Sequence, residues 1–199
     1  MSLNLFIIGP SGSGKSTQAK LIAQKYQLTH FSMGQLLRDE IAANSKLGLD
    51  AKKSVDQGTP VPDDIVLPIL SQKLISLDYK NFIIDGFPRL VQQGHYIDRF
   101  LIDKGQQTSL LIHLLVDFLE IVRRRQLAGK DFQAEDQDRS DNTPEAIANR
   151  QKILYESNVN PILDYYRNQN KLFEIDGNRP IEPILKDICI KIDKLNISA

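Results

Sequence analysis

The sequence predicts an α/β fold, a doubly wound sheet of five parallel strands. Short apolar segments alternate with longer segments of helical periodicity along the whole chain, and such alternation is typical of a parallel sheet with helices on both faces. The apolar segment 3–8 also runs directly into GPSGSGKST at 9–17, which matches G-x-x-x-x-G-K-[ST]. Between a strand and a helix, that pattern predicts a loop that holds phosphate with backbone N–H groups and a helix N-terminus, so the predicted fold is of the P-loop NTPase type.

The individual elements follow from periodicity and from Gly, Pro and capping residues. Apolar runs predict strands at 3–8, 29–31, 81–85, 109–116 and 171–175. Helical spacing predicts helices at 18–26, 33–43, 46–56, 63–77, 91–104, 118–127, 143–168 and 180–195. Ser32 and Asp63 are placed to cap the second and fourth helices, and Pro161 is expected to kink the seventh. Residues 82–84 are apolar at every position, which indicates a strand buried on both faces.

The chain is expected to be a single domain of residues 1–199 with a small helical insert. The insert, residues 32–62, falls between the second strand and the rest, and it ends with Pro60 and Pro62 in a stiff extended link. Residues 129–142 are polar and acidic and show no periodicity, which predicts a mobile loop.

Composition and charge restrict the classes of partner. Lys+Arg and Asp+Glu are equal at 25 each, without the basic excess that a nucleic-acid-binding protein usually carries. No apolar run is long enough to span a membrane and no cleavable leader is evident, so we expect a cytoplasmic protein. The single cysteine, Cys189, excludes an intramolecular disulfide and a cysteine-rich metal site, and its helical pattern favours a core position. The three histidines are isolated in sequence and are interpreted as structural.

An acidic residue ends the third predicted strand. Because the carboxyl ends of neighbouring parallel strands meet at one edge of the sheet, Asp85 is expected near the phosphate loop. There it can hold Mg²⁺ through water, together with the hydroxyl of Ser16. The alternative is that Asp85 caps the turn that follows it.

Several arginines occur at helix starts, strand ends and loop edges. They are Arg38, Arg89, Arg139 and Arg150. Phosphoryl transfer needs positive groups around both the donor and the acceptor phosphates, because negative charge spreads over the transferred group. Arginine suits this role since its planar guanidinium can clamp phosphate with two hydrogen bonds. Their joint arrangement therefore favours phosphoryl-transfer chemistry.

Four longer motifs resemble the nucleoside monophosphate kinases, and most closely the adenylate kinases with a short lid. The motifs are GPSGSGKSTQA at 9–19, FSMGQLLRDE at 31–40, FIIDGFPRLVQQ at 82–93, and RSDN at 139–142 with Arg150 eleven residues beyond Arg139. The DGFPR run is far more specific than the phosphate loop, which many NTPases share. The resemblance implies a monomer that transfers the γ-phosphoryl group of ATP to AMP with Mg²⁺ as cofactor.

The resemblance also implies roles for individual residues. ATP would be bound by the phosphate loop and by two arginines beside its adenine: Gly12, Ser13, Gly14, Lys15, Ser16, Thr17, Arg124 and Arg179. AMP would be bound by the insert, the DGFPR motif and the lid: Met33, Arg38, Thr59, Pro60, Val61, Gly86, Arg89, Gln93, Arg139 and Arg150. The catalytic cations would be Lys15, Arg89, Arg139 and Arg150, and the metal would contact Ser16 and, through water, Asp85. Residues 32–62 would form the NMP-binding insert, and residues 129–140 would form the short lid that excludes water.

The sequence departs from the family pattern at several positions. Met33 stands where these kinases commonly have Thr, Gln35 where they have Asp, and Asn142 where the lid has a second Asp. Ala128 replaces an arginine expected four residues beyond Arg124. These departures bear on the contacts with both nucleotides.

The identity of the acceptor is predicted from two side chains. Phe87 and Gln93 favour AMP over UMP or CMP, because pyrimidine-directed relatives typically have Tyr and Asn there. A glutamine amide can donate to N7 of adenine and accept from its 6-amino group. A UMP/CMP kinase and a nucleotide-binding protein with little turnover remain alternatives. A GTPase switch would need an Asn-Lys-x-Asp motif, which does not occur.

Overall fold

The computed structural model describes residues 2–128 and 155–197, and it confirms the doubly wound sheet of five parallel strands. The strands are β1 (Asn4–Ile8), β2 (Thr29–Ser32), β3 (Phe82–Asp85), β4 (Leu110–Leu115) and β5 (Leu172–Asp176). Their order across the sheet is β2-β3-β1-β4-β5, and every neighbouring pair is parallel. The connections after β1 and β3 diverge in opposite directions, so the topological switch point lies between these two strands, where such sheets bind ligands.

The helices of the described residues follow the predicted alternation. They are α1 (Lys15–Tyr26), α2 (Met33–Ala42), α3 (Lys46–Gln57), α4 (Asp63–Ile75), α5 (Val91–Ile102), α6 (Phe118–Ala128), α7 (Val159–Asn168) and α8 (Ile181–Ile197). No helix in residues 2–128 or 155–197 is both long and apolar enough to cross a membrane. The prediction for 129–142 and for the start of the seventh helix lies outside the described residues.

One predicted helix start and one predicted kink are wrong. The first helix begins at Lys15, inside the phosphate motif, because Gly14 takes the left-handed conformation (φ 93°) at its N-cap. The helix that contains Pro161 begins at Val159, so this proline lies in the first turn rather than at a kink. A first-turn residue has no intrahelical N–H partner to lose, and proline is tolerated there.

The two predicted capping side chains do not cap. Ser32 occupies the N-cap position of α2, but its hydroxyl makes no capping hydrogen bond within the described chain. Pro62, rather than Asp63, is the N-cap of α4. Asp63 instead lies in the first turn of α4, where its carboxylate accepts a hydrogen bond from the amide of Gln93.

Alternate residues of each central strand point to opposite faces and build two cores. On one face, Phe6, Phe82 and Leu111 pack with helices α4, α5 and α7 and with the insert. On the other face, Leu5 and Ile83 pack with α1 and α8. Burying both faces of a strand requires a continuous apolar run, which is the pattern that the sequence shows. Cys189 of α8 is 3% exposed, which confirms it as a core residue.

The insert is tied together by a close approach of α3 to the end of α2. A Cβ atom on Gly48 would lie 2.1 Å from the carbonyl oxygen of Glu40, so only glycine fits. Ser45, the N-cap of α3, accepts a hydrogen bond from Gly48 N at 3.0 Å and donates to the Glu40 carboxylate. Gly58 ends α3 in the left-handed conformation (φ 64°), which glycine adopts most readily at a helix end.

His113 is structural but not isolated in space. It lies on β4 opposite Glu174 of β5, and its Nε2 is 2.6 Å from the Tyr155 hydroxyl while Nδ1 is 3.3 Å from Glu174 Oε1. Burial raises the pKa of Tyr155 to about 12, so the hydroxyl keeps its proton and donates to Nε2. Nδ1 then carries the imidazole proton toward Glu174. Burial lowers the pKa of His113, and Glu174 only partly offsets it.

We expect the stability of the protein to fall as the pH drops below the ordinary histidine value of 6.5. In that range the unfolded chain binds a proton that folded His113 resists, so the free energy of unfolding decreases with falling pH. Replacing His113 with glutamine keeps hydrogen-bonding groups without a titrating ring. The loss of melting temperature between about pH 7.5 and pH 5.5 should be smaller in His113→Gln than in the wild type. Equal losses in the two proteins would contradict this account.

Candidate active site

The loop between β1 and α1 forms a cradle of backbone groups. Gly12 and Gly14 have left-handed φ values of 87° and 93°, and Ser13 N donates to Pro10 O at 3.2 Å. The Lys15 ammonium folds back over the loop and donates to Pro10 O at 2.7 Å. A loop of this shape at the N-terminus of a helix combines inward N–H groups, a positive dipole end and a cation, and it can therefore bind phosphate.

Two further observations on this loop indicate an anion site. Ser13 is 2% exposed, and its hydroxyl oxygen has no hydrogen-bond partner among the described residues. A buried hydroxyl without a partner is costly, which a bound phosphate oxygen would relieve. A Cβ atom on Gly9 would lie 2.7 Å from Leu114 O, so the loop can start here only with glycine. The backbone thus passes close to β4 before it turns around the cradle.

The end of β3 lies beside the start of α1. Ile7 of β1 is paired with Asp85 of β3, and the Ser16 hydroxyl donates a hydrogen bond to Asp85 Oδ2. Asp85 is 2% exposed. One carboxylate and one hydroxyl are a donor set that suits Mg²⁺, which prefers oxygen ligands and keeps several waters. The described residues contain no group of three or more His, Cys, Asp or Glu side chains that could bind a metal without a substrate.

Arg124 of α6 connects the phosphate loop to the turn after β5. Its guanidinium donates to Ser13 O at 3.2 Å, to Gly177 O at 2.5 Å and to Arg179 O at 3.5 Å. Glu120, one turn earlier, accepts from Arg124 Nε at 2.7 Å. Hydrogen bonds from Arg123 and from Arg124 lower the pKa of Glu120 to about 2, so the carboxylate stays ionised and holds the guanidinium in place.

The side chain of Arg179 points away from this junction. Its Nε donates to Asp176 O at 3.1 Å and one terminal nitrogen donates to Asp187 Oδ2 at 2.9 Å. Only its backbone carbonyl faces Arg124. The predicted role of Arg179 beside the adenine of ATP stays a prediction.

A second cleft lies between the insert and the DGFPR motif. It encloses about 600 Å³, including the part open to solvent. Eight of its lining residues are those predicted to bind AMP: Met33, Arg38, Thr59, Pro60, Val61, Gly86, Arg89 and Gln93. The remaining six are Gly34, Leu37, Val55, Gly58, Val66 and Phe87. The two arginines are the charged members of this lining, so the cleft suits an anionic ligand with an apolar, planar part.

The positions of the two arginine side chains in this cleft are set by local hydrogen bonds. Arg89 Nε donates to Gly86 O at 3.0 Å, across the turn that follows β3. Arg38 donates to Gln35 Oε1 at 2.6 Å, and Gln35 Nε2 donates to Asp39 Oδ1 at 2.7 Å. Gln35, which departs from the family pattern, therefore positions Arg38 through an amide rather than through a carboxylate.

Some site residues were missed or cannot be placed. Leu37, Val55 and Val66 line the cleft, but their helical spacing is that of any core residue and no motif marks them as site residues. Asp63 contacts Gln93, which is distant in sequence, and Glu120 contacts Arg124 one helical turn away. No sequence motif marks either of these supporting residues. Arg139, Arg150 and the lid at 129–140 lie outside the described residues.

Comparisons with known proteins relate the chain to one family. The family model for adenylate kinase matches residues 7–171. The chain is similar to the adenylate kinase of Bacteroides thetaiotaomicron, with 38% identity over 194 residues that cover 97% of this chain and 100% of the relative. It is 39% identical to the adenylate kinase of Fusobacterium nucleatum over 206 residues, or 94% of this chain and 97% of the relative. For the adenylate kinase of Archaeoglobus fulgidus the identity is 32% over 221 residues, covering 97% and 99% of the two chains.

The contacts of Arg124 predict a role in nucleotide binding that the adjacent Arg123 lacks. Arg124→Ala removes the links to three backbone carbonyls around the phosphate loop, and we expect the Kd for ATP to rise about tenfold, as for the loss of charged hydrogen bonds. Arg123→Ala is the matched control, since Arg123 shares Glu120 but its side chain is 60% exposed. Binding is measured by calorimetry in both variants. An equal rise of the Kd for ATP in the two variants would show that ATP binding depends on the ion pair with Glu120 and not on the hydrogen bonds from Arg124 to the three carbonyls.

Proposed function

The chain belongs to the adenylate kinase family, and on that basis we propose that it transfers the γ-phosphoryl group of ATP to AMP and forms two ADP. The observation that carries the proposal is that two anion sites share one edge of the sheet. The phosphate loop follows β1, the arginine-lined cleft follows β3, and these two strands are neighbours. A donor and an acceptor bound at these sites would present their phosphates to each other.

The donor side of the reaction rests on the phosphate loop. Backbone N–H groups of residues 12–17 and the Lys15 ammonium hold the ATP phosphates, and Arg124 steadies the loop from its far side. Ser16 and Asp85 hold Mg²⁺, the carboxylate through water, and the ion neutralises phosphate charge when it is bound. Lys15 stabilises the charge that develops on the transferring group, because it can follow that group across the gap.

The acceptor side rests on the cleft. Arg38 and Arg89 clamp the α-phosphate of AMP, since guanidinium groups bind phosphate with paired hydrogen bonds. Gln93 recognises the adenine by hydrogen bonds, and Met33, Val61 and Gly86 pack around the base. Transfer through a metaphosphate-like transition state needs no protein nucleophile, so positioning and charge are the whole contribution of the chain.

The remaining parts of the proposal come from the resemblance. Arg139 and Arg150 meet the transferring phosphoryl group, and the 129–140 lid and the 32–62 insert close over the substrates to exclude water. Exclusion of water matters because ATP would otherwise be hydrolysed. We also propose that the protein is a cytoplasmic monomer whose partners are the nucleotides themselves rather than nucleic acid or membrane.

One feature of the cleft favours a second acceptor class. Met33 is 2% exposed and lines the cleft, and it cannot supply the hydroxyl contact that these kinases commonly make with Thr. Its thioether can still pack on a base. Phe87, which also lines the cleft, and Gln93 outweigh this departure, so the proposed acceptor is AMP with a weakened affinity rather than UMP or CMP.

The direct test compares acceptors at a fixed ATP concentration. We expect kcat/KM for AMP to exceed the values for UMP and CMP by at least about a hundredfold, because the Gln93 amide matches adenine and not a pyrimidine. Nucleotides are separated and quantified by chromatography, which also reveals ATP hydrolysis without an acceptor. A preference for UMP or CMP would overturn the acceptor assignment, and an absence of turnover with all three would overturn the kinase assignment.

Asp85 provides a test of the metal site. Asp85→Asn keeps the size of the side chain and a hydrogen bond to Ser16 but removes the charge that would orient the metal-bound water. The Mg²⁺ concentration for half-maximal rate should rise by about tenfold or more, as for other residues that support a metal from the second layer. If Mg²⁺ dependence is unchanged while the protein remains folded, Asp85 serves the turn after β3 and not the metal.

A further inference from the structure

The amide of Gln93 is engaged at both of its polar atoms within the protein. Arg89 N donates to Gln93 Oε1 at 2.9 Å, and Gln93 Nε2 donates to Asp63 Oδ1 at 2.8 Å. Gln93 is 3% exposed and lines the acceptor cleft. Asp63 is half-buried in the first turn of α4 and is not part of the cleft lining. One contact thus comes from the backbone of a residue that lines the cleft, and the other comes from a side chain outside the lining.

These two contacts fix which end of the amide is oxygen and which is nitrogen. A backbone N–H can only donate, and an ionised carboxylate can only accept. If the amide were rotated by half a turn, its oxygen would face the carboxylate and its nitrogen would face the N–H of Arg89. Both contacts would then be repulsive.

The fixed amide has one hydrogen-bonding group of each kind left for a ligand. A primary amide has two N–H groups and two oxygen lone pairs, and the internal contacts use one of each. One donor and one acceptor in fixed positions match adenine, which offers its 6-amino group as a donor beside a ring nitrogen acceptor. A 6-oxopurine presents two acceptors along its N7 edge and the reversed pattern along its N1 edge. A freely rotating glutamine could turn to meet that reversed pattern, whereas this one cannot.

We propose that Asp63 is a positioning residue that makes Gln93 select a 6-aminopurine over a 6-oxopurine acceptor. The inference rests on the proposed function, because it assumes that the cleft binds the acceptor base against Gln93. Asp63 itself does not touch the base. It acts by removing the alternative orientation of the amide, so it sets selectivity rather than the rate of phosphoryl transfer.

The experiment compares AMP with IMP, which differ at position 6 of the base and in the protonation of N1. The wild type should prefer AMP. In Asp63→Asn, the new side chain can present either an oxygen or an N–H to Gln93, and the ratio of kcat/KM for AMP to that for IMP should fall about tenfold. The KM for AMP should rise without an equal rise for IMP. Both kcat with AMP and the KM for ATP should stay within about twofold of the wild type, since neither depends on the orientation of the amide.

Asp64→Asn is the matched control. Asp64 is the next residue of the same helical turn, carries the same charge toward the α4 dipole, and is exposed. It should leave the AMP-to-IMP ratio unchanged, so a loss of helix stabilisation alone cannot produce the expected result. If circular dichroism shows that Asp63→Asn is not folded, Asp63→Ser supplies a second variant. A serine hydroxyl can also donate or accept, and it should lower the ratio in the same direction.

The outcomes separate this inference from the function on which it rests. A wild type that phosphorylates AMP and IMP equally well, or a folded Asp63 variant with an unchanged ratio, overturns the inference and leaves the kinase intact. Parallel losses for AMP and IMP would also overturn it, because they would indicate a structural role. A wild type that does not phosphorylate AMP at all overturns both.

Discussion

The parallel pairing of β1 with β3 is the constraint on which the rest of the structure depends. Its register places Ile7 opposite Asp85, so the phosphate loop and the DGFPR motif leave the sheet side by side although they are far apart in sequence. The hydrogen bond from Ser16 to Asp85 follows directly from that register. A shift by one residue would turn Asp85 to the other face of the sheet, and it would remove the carboxylate from Ser16 at the start of α1.

Charge in the site is controlled locally, although the whole chain has a net charge of zero. Glu120 accepts a hydrogen bond from Arg124 beside the phosphate loop, and Gln35 accepts one from Arg38 in the lining of the second cleft. Fixing a long cation before a ligand arrives reduces the entropy that binding would otherwise cost. The same principle applies to the neutral amide of Gln93, which is held from two directions. The supporting residues thus matter for the geometry of the site even where they never meet a nucleotide.

The sequence predicts the strands and the phosphate loop because both depend on local features: continuous apolar runs and a fixed glycine pattern. It predicts five of the eight cleft residues through motifs that resemble a known family, and it predicts Thr59, Pro60 and Val61 only through the resemblance itself. It fails where distant segments meet. Asp63 has the sequence context of a helix cap, yet its carboxylate accepts a hydrogen bond from Gln93 of another helix. Pro161 has the sequence context of a helix kink until the helix start at Val159 is known. His113 contacts Glu174 of β5 and Tyr155, and no rule of sequence spacing connects these three residues.

The burial of Cys189 has a practical consequence for measuring motion in this protein. It is the sole cysteine of the chain, and it is 3% exposed on α8. Reagents that alkylate exposed thiols will not react with Cys189 under native conditions. Pairs of cysteines introduced on the surface can therefore carry fluorescent or spin labels without prior removal of a native thiol. Distances between the insert and the sheet can then be followed in an otherwise unaltered chain.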